Sequence, residues 1–191
     1  MNIVYGGAFN PPTKAHLNVY HYLKARLNIK RFTFLPVSNA YTKSDLASNY
    51  HRLNMLKLLV KDYEDIHISD LEIQDQEFLG TYQSLIRLSD HTFLETAFVI
   101  GADNLKEMKS WKMAESLMSE FKIIVLNRNH VDIEAMIEQD PILKKHQHNF
   151  LIFQDFDQNI SSTAFRESFD STMVEEDVYQ YIVKHGLYER S

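Results

Sequence analysis

The residues best suited to chemistry lie near the start of the chain, in a turn after a short apolar segment. The turn reads Gly6-Gly7-Ala8-Phe9-Asn10-Pro11-Pro12-Thr13-Lys14-Ala15-His16. The glycines let a ligand approach the backbone closely, and a helix beginning near Thr13 offers its first N–H groups to an anion. Thr13 and His16 are three positions apart, so they project from one face of that helix. The pattern predicts a phosphate-binding turn; the structural alternative is a tight turn with a capping threonine and an incidental histidine.

Two common phosphate-binding loops are excluded by spacing. The turn does not contain the Gly-Lys-Ser/Thr sequence of a Walker loop. A dinucleotide fingerprint needs three glycines within six residues, whereas the chain has glycine only at positions 6, 7, 80, 101 and 186. The turn is therefore predicted to bind phosphate in another way.

A second group of polar residues lies far along the chain, after the last predicted strand. Residues 159–166 read Asn-Ile-Ser-Ser-Thr-Ala-Phe-Arg and open a predicted helix. The hydroxyl and backbone N–H groups of Ser161, Ser162 and Thr163 suit phosphate oxygens, and Arg166 returns to the same helix face with a planar guanidinium. A helix simply capped by a hydroxyl is the alternative. If the strands before the two turns are neighbours, both helix N-termini point at one oligophosphate.

Alternating strands and helices are predicted to position these turns. Apolar or β-branched runs at 2–5, 31–35, 66–69, 97–100, 122–126 and 149–153 indicate strands. Helical spacing follows the first, second, fourth and fifth runs and recurs at 81–89, with Ser48 as an N-cap and Gly186 ending the last helix. The pattern predicts a doubly wound α/β fold with a mostly parallel sheet and ligands at the carboxyl ends of its strands. The charged stretch 70–77 is predicted to be a solvated strand edge or loop.

Composition excludes several classes of protein. The 191 residues include no cysteine, which excludes disulfide frameworks, cysteine nucleophiles and thiolate metal sites. The net charge of −6 argues against a nucleic-acid partner, and the strand-sized apolar runs argue against a membrane protein. We expect a cytoplasmic protein of one domain, 1–191, with 160–191 as its C-terminal helical part. The sequence does not decide between a monomer and a homo-oligomer.

Both turns resemble motifs of one enzyme superfamily. Residues 7–16 resemble the (His/Thr)-x-Gly-His turn of the nucleotidylyltransferases, and residues 160–166 resemble that superfamily's second motif. Within it, residues 1 to about 188 are most similar to the bacterial nicotinate-nucleotide adenylyltransferase family. The similarity includes Leu35-Pro36 with Lys43, the 51–56 helix, the Gly101-Ala102-Asp103 turn with Trp111, the strand 124–128 and the segment 178–188.

Four residues depart from the family pattern. Thr13 replaces the commoner histidine, Ala15 the usual glycine, and Asn10 a commoner aspartate. Gln83 stands where an acidic residue is frequent, in the segment that holds the nicotinate ring. The last difference bears on the choice of substrate more than on the reaction.

The resemblance implies transfer of the adenylyl group of ATP to nicotinate mononucleotide, with release of pyrophosphate, in NAD biosynthesis. It implies ATP and a pyridine mononucleotide as partners, and Mg²⁺ bound mainly through the ATP phosphates, with no metal site on the protein. The implied catalytic residues are His16, Thr13, Lys43 and Arg166. The implied ATP-binding residues are Gly7, Ala8, Phe9, Gly101, Asp103, Ser161, Ser162 and Thr163, and those for the pyridine nucleotide are Thr81, Tyr82 and Trp111.

Each role has a structural alternative. Asp103 could cap the helix that follows, Trp111 could be a packing residue, and Lys43 could be solvated. The pair His146 and His148 lacks a third ligand at metal-binding spacing. Two other functions stay open: adenylyl transfer to nicotinamide mononucleotide, and a nucleotide-binding relative without catalysis.

Overall fold

The computed structural model describes residues 1–40, 46–89, 94–127, 131–156, 158 and 160–189. Within these ranges the strands form one six-stranded sheet with the order β3-β2-β1-β4-β5-β6, and every neighbouring pair is parallel. The strands are β1 Asn2–Gly7, β2 Arg31–Pro36, β3 Ile66–Ile68, β4 Thr96–Gly101, β5 Lys122–Leu126 and β6 Phe150–Phe153.

Helices connect the strands. They are α1 Lys14–Lys24, α2 Asn49–Leu59, α3 Leu71–Gln74, α4 Thr81–Ser89, α5 Leu105–Met108, α6 Ala114–Glu120, α7 Ile133–Gln139, α8 Pro141–His146, α9 Ser162–Ser168 and α10 Glu176–Lys184. Short 3₁₀ turns occur at Ala102–Asn104, Gln147–Asn149 and Ser171–Met173.

Helices cover both faces of the sheet, which is why apolar residues occupy most positions of its central strands. Ile3 of β1 packs in a cluster with residues of α1, α2, α9 and α10, whereas the next residue, Val4, packs with residues of α4 to α8. Ile124 and Val125 of β5 alternate in the same way. The predicted doubly wound α/β fold is confirmed.

The direction of winding changes between β1 and β4, the two central strands. The chain runs from β1 outwards to β2 and β3, and then crosses to β4 and continues to β5 and β6. In such sheets the carboxyl ends of the strands at this switch leave a crevice. Gly7 ends β1 and Gly101 ends β4, so both glycines lie at that crevice.

The predicted helix ends are confirmed. The Ser48 hydroxyl accepts a hydrogen bond from the His51 N–H, as an N-cap does. Gly186 follows α10 with a φ of 56°, and its N–H donates to the Val183 carbonyl at 3.2 Å. The Leu187 N–H donates to the Ile182 carbonyl at 3.0 Å, which completes a Schellman motif.

The interpretation of 70–77 as a solvated strand edge or loop is confirmed for 75–77 and wrong for 71–74. Residues 71–74 form α3, and Glu72 is only 4% exposed. The Ser84 hydroxyl donates to a Glu72 carboxylate oxygen at 2.7 Å. A buried carboxylate with a hydrogen-bond donor is tolerated inside a protein, and the run of charges in the sequence conceals it.

Candidate active site

A large cleft opens at the crevice between β1 and β4, with a volume of about 770 Å³. Five residues predicted for the site line it: Gly7, His16, Thr81, Gly101 and Trp111. Residues for which no site role was predicted complete the wall, among them Tyr5, Phe98, Asn104, Ser110 and Lys112. Tyr5 and Phe98 belong to β1 and β4. Their position in the strands on either side of the crevice could have predicted that they line the site.

A smaller cavity of about 120 Å³ adjoins the cleft on the side of α9. Ala15, Ile160, Ser161 and Ser162 contribute to its lining. Tyr5, His16, Val99, Ile100 and Gly101 line both spaces. His16 therefore lies in the wall that the two cavities share.

The ring of His16 is held at one nitrogen by the start of its own helix. The Thr13 backbone N–H donates to His16 Nδ1 at 2.9 Å, and Thr13 Oγ1 lies 3.1 Å from the same nitrogen. Phe9 packs edge-on against the imidazole, with ring centroids 5.0 Å apart. Because Nδ1 accepts from a backbone donor, the neutral ring carries its proton on Nε2.

The two predicted phosphate motifs meet directly. The Ser162 hydroxyl donates to the Pro11 carbonyl at 2.8 Å, and Arg166 Nη1 donates to the Asn10 carbonyl at 2.5 Å. The sequence predicted this contact on the condition that β1 and β6 are neighbouring strands, but β4 and β5 lie between them. The chain returns across the sheet after β6, and α9 buries Phe165 in the same core as α1. Helix packing therefore brings the motifs together.

The hydroxyl groups of the second motif already make contacts within the protein. The Ser161 hydroxyl caps α9 by accepting from the Ala164 N–H at 3.0 Å. Thr163 Oγ1 accepts from Arg166 Nη2 at 3.2 Å. Arg166 uses two N–H groups in its contacts with Thr163 and Asn10, out of the five that a guanidinium carries.

Arg52 lies in the 51–56 segment that resembles the family, but the sequence assigned no role to it. Its side chain is fully buried and donates to the carbonyls of Ala8, Val37 and Ala47. Arg52 Nη2 also donates to the side-chain oxygens of Asn39 and Asn49, at 2.8 and 2.7 Å. The buried cation thus fixes the first turn, through Ala8, to the segments after β2 and before α2.

One end of the cleft has aromatic walls and a nearby cation. Trp111 packs edge-on against Phe98, with ring centroids 6.3 Å apart. Lys112 Nζ donates to the Phe78 carbonyl at 2.9 Å and so fixes the loop before α4. Gly80 in that loop has a φ of 104°, and a Cβ there would lie 2.8 Å from Lys112 Cβ.

Among the remaining predicted residues, Tyr82 and Asp103 do not line the cleft. The Tyr82 hydroxyl donates to a Glu120 carboxylate oxygen at 2.9 Å, and this bond raises the pKa of the phenol. Asp103 is exposed in the turn after Gly101; the alternative that it caps the helix that follows is wrong, because Asn104 holds the N-cap position of α5. Lys43 lies outside the described residues.

The turn residues Ala8 and Phe9 differ in exposure. Ala8 is exposed, with its carbonyl bound by Arg52 Nη1 at 2.6 Å. Phe9 is buried with a φ of 46°, and its ring lies against Gly7, where a Cβ would approach it to 3.2 Å. A side chain at position 7, in the wall of the cleft, would therefore crowd the buried ring of Phe9.

Neither a metal-binding cluster nor a membrane-spanning helix occurs within the described ranges. These residues contain no group of three or more His, Cys, Asp or Glu side chains that could hold a metal ion. His146 is buried, and its Nε2 lies 3.7 Å from a Glu115 carboxylate oxygen. Among the same residues, no helix is both long and apolar enough to cross a bilayer.

Comparison with known proteins identifies the family. The cytidylyltransferase-like family profile matches residues 4–168. The chain is 33% identical to the protein named "Probable nicotinate-nucleotide adenylyltransferase" of Acholeplasma laidlawii, over 99% of this chain and 98% of the relative. It is 30% identical to the protein of the same name from Clostridium acetobutylicum, over 97% of each chain.

The fold agrees with a solved structure. Plasmodium falciparum nicotinic acid mononucleotide adenylyltransferase, complexed with APC, superposes with a TM-score of 0.76 at 24% identity, over 97% of this chain and 96% of that one. The same enzyme complexed with NaAD gives the same TM-score. From the profile match and the relatives at 30% identity or more, the chain belongs to the nicotinate-nucleotide adenylyltransferase family, an enzyme family within the cytidylyltransferase-like proteins.

Proposed function

We propose that this protein transfers the adenylyl group of ATP to nicotinate mononucleotide, producing nicotinate adenine dinucleotide and pyrophosphate. The observation that carries the proposal is the position of His16 in the wall shared by the two cavities. Two nucleotides that approach from opposite sides would meet at this residue. The names of the related proteins support the same reaction.

The reaction needs positioning and charge stabilisation rather than a base. A phosphate oxygen of the mononucleotide forms a bond to the α-phosphorus of ATP, and the bond from that phosphorus to the oxygen bridging the β-phosphate breaks, so that pyrophosphate leaves. The attacking oxygen is already ionised at neutral pH. In this proposal the Nε2–H of His16 donates to the α-phosphoryl oxygens as their charge grows, and Thr13 assists at the same phosphate.

The second motif and the loop after β2 would hold the departing phosphates. The donors still available on Arg166, together with Ser161, Ser162 and Thr163, are proposed to bind the β- and γ-phosphates. Their contacts with the first turn support this role, because they keep both phosphate motifs at fixed separation. Lys43 is proposed to bridge the phosphates.

Mg²⁺ is proposed to arrive with ATP as part of the substrate. Magnesium keeps several waters and is commonly held by nucleotide phosphates with few protein ligands. The donor set supports this, because the described residues provide no cluster of carboxylates or imidazoles for a resident ion.

The cleft is proposed to hold the nucleotides on either side of Gly101. Gly7, Ala8 and Phe9 would border the ATP phosphates, and Gly101 with Asp103 would contact ribose hydroxyls. Trp111 would stack on the pyridine ring, and the backbone N–H groups at Thr81 and Tyr82, at the start of α4, would receive the nicotinate carboxylate. Lys112 in the same wall adds positive charge, which favours nicotinate over the neutral nicotinamide.

The same proposal takes residues 1–191 as one nucleotidylyltransferase domain in which 160–191 is the C-terminal helical part. The contacts of Ser162 and Arg166 with the first turn support it, since they join the two ends of the chain. A cytoplasmic location is proposed from the absence of cysteine in the sequence.

Pyrophosphate release tests the function. The purified protein is mixed with MgATP and either nicotinate or nicotinamide mononucleotide, and we expect a much higher kcat/KM with nicotinate mononucleotide. Release with nicotinamide mononucleotide alone would identify that nucleotide as the substrate in place of nicotinate mononucleotide. ATP binding without release from either would instead indicate a relative without catalysis.

Substitution of His16 tests the mechanism in the same assay. His16→Ala should lower kcat by about 10²–10³-fold, because it removes a transition-state donor. His21→Ala is the matched control, since His21 lies on the same helix and contacts the Tyr63 hydroxyl away from the cleft. An undiminished rate in His16→Ala would refute the proposed role of the imidazole.

A further inference from the structure

We infer that Tyr188, near the end of the chain, is a positioning residue that acts on the reaction centre through Asn10. The inference rests on the proposed function and adds a residue to it. Tyr188 lies outside the linings of both cavities that His16 borders, as far as the described residues define them. Any effect of Tyr188 on the reaction must therefore be transmitted by other residues that it contacts.

Asn10 connects three separate segments of the chain. It is 3% exposed, and its Oδ1 accepts hydrogen bonds from the Ala47 N–H at 3.0 Å and from the Tyr188 hydroxyl at 2.7 Å. Its backbone carbonyl accepts from Arg166. Ala47 lies just before α2, so one buried amide joins the first turn to the start of α2 and to the C-terminal segment.

Tyr188 is itself held in a defined position. It comes after the Schellman motif that ends α10, with a φ of 63°, and its ring packs edge-on against Phe165 at 6.4 Å. Burial raises the pKa of its phenol, which therefore stays protonated and able to donate throughout the physiological pH range.

The bond matters to chemistry because Asn10 lies just ahead of the proposed catalytic residues. Thr13 and His16 are three and six residues further along the chain, and the Thr13 N–H orients the imidazole. Removing the Tyr188 hydroxyl leaves Asn10 Oδ1 with its bond to Ala47 and loosens the turn before Thr13. Misplacements of about 1 Å can reduce catalysis by about 10²-fold, so even a partial shift should be measurable in kcat.

The test compares two tyrosines of the C-terminal segment. Tyr188→Phe removes the bond to Asn10, whereas Tyr181→Phe removes a hydroxyl that contacts His51 Nδ1 at 2.9 Å and Asn54 Nδ2 at 3.2 Å on α2. We expect Tyr188→Phe to lower kcat by about tenfold with the KM for ATP changed by less than about threefold. Tyr181→Phe should leave kcat close to the wild-type value, and denaturant unfolding shows that both variants are folded.

A double variant tests the route through Asn10. In an Asn10→Ala background, Tyr188→Phe should change kcat by less than about twofold, because the acceptor is already gone. A full tenfold loss in that background would overturn the route through Asn10. Equal losses in the Tyr188→Phe and Tyr181→Phe variants would show general loosening of the C-terminal segment and overturn the inference.

A readout independent of turnover separates this inference from the proposed function. The ¹⁵N resonances of the His16 ring should shift in Tyr188→Phe and stay in place in Tyr181→Phe. If the wild-type protein releases no pyrophosphate, the proposed function fails and the His16 resonances alone decide the inference. Unchanged His16 resonances in Tyr188→Phe would refute it.

Discussion

Replacing Arg52 by lysine should destabilise the protein far more than a conservative change suggests. Arg52 is fully buried on α2 and donates five hydrogen bonds to backbone and side-chain oxygens. Lysine keeps the positive charge but has three donors on one nitrogen. At least two of the five oxygen contacts are therefore lost, and the remaining ones must be made from a single point.

The expected loss is set by those missing contacts. A hydrogen bond to a charged group contributes about 1.5–3 kcal/mol, so that losing two costs about 3–6 kcal/mol. Small domains are typically stable by about 5–15 kcal/mol, which makes this a large fraction of the total. The carbonyl of Ala8 is one of the acceptors, so kcat should fall as the first turn shifts.

Guanidinium chloride unfolding measures the effect, with the slope checked against the wild-type value. Arg87→Lys is the matched control, because Arg87 makes a partly exposed ion pair with Asp75 at 2.7 Å, which the lysine ammonium can still form. That variant should lose no more than about 1 kcal/mol. If Arg52→Lys loses as little as Arg87→Lys, the buried guanidinium does not hold the turn and the reasoning is wrong.

Two further variants test the cleft wall and the response to acid. Gly80→Ala should lower the free energy of unfolding by about 1–3 kcal/mol, because the positive φ and the contact with Lys112 Cβ both oppose a side chain. It should also raise the KM for the pyridine mononucleotide more than the KM for ATP. Equal KM changes for both substrates would contradict this. Lys109 and two backbone N–H groups hold the pKa of Asp140 below its ordinary value, so its charge stabilises the folded state above about pH 4 and that contribution is lost as the pH falls through the lowered pKa. Asp140→Asn should therefore be less stable than wild type in denaturant titrations at pH 7, and the difference should shrink as the pH falls below about 4; a difference that stays as large in acid as at pH 7 would exclude the charge as its cause.

Much of the fold could be predicted because local patterns and burial agree. The β5 strand Lys122–Leu126 was predicted to the residue, since a continuous apolar run between polar residues suits a strand buried on both faces. Ser48 and Gly186 marked helix ends because capping depends on residue type. Glu72 could not be placed in this way, because its burial depends on Ser84, which lies twelve residues away.

The sequence predicted contact between the two phosphate motifs only if β1 and β6 were neighbouring strands, and in the sheet they are not. Strand order depends on long-range packing, and no local feature of residues 150–153 indicates that β6 is at the edge. Arg52 and Tyr188 lie in segments that resemble the family, but their roles could not be predicted for a related reason. Their roles lie in bonds to Ala8 and Asn10, which are remote in sequence.

The same bonds explain how the turn can tolerate its departures from the family pattern. His16 Nδ1 is oriented by the backbone N–H of residue 13, a group that every amino acid except proline supplies. Threonine in place of histidine therefore leaves the orientation of His16 intact. Asparagine at position 10 needs only its side-chain oxygen to accept from Ala47 and Tyr188, as an aspartate oxygen would. Of the three departures in the turn, only Ala15 adds atoms to the wall of the small cavity, so its methyl group is the change expected to affect ATP.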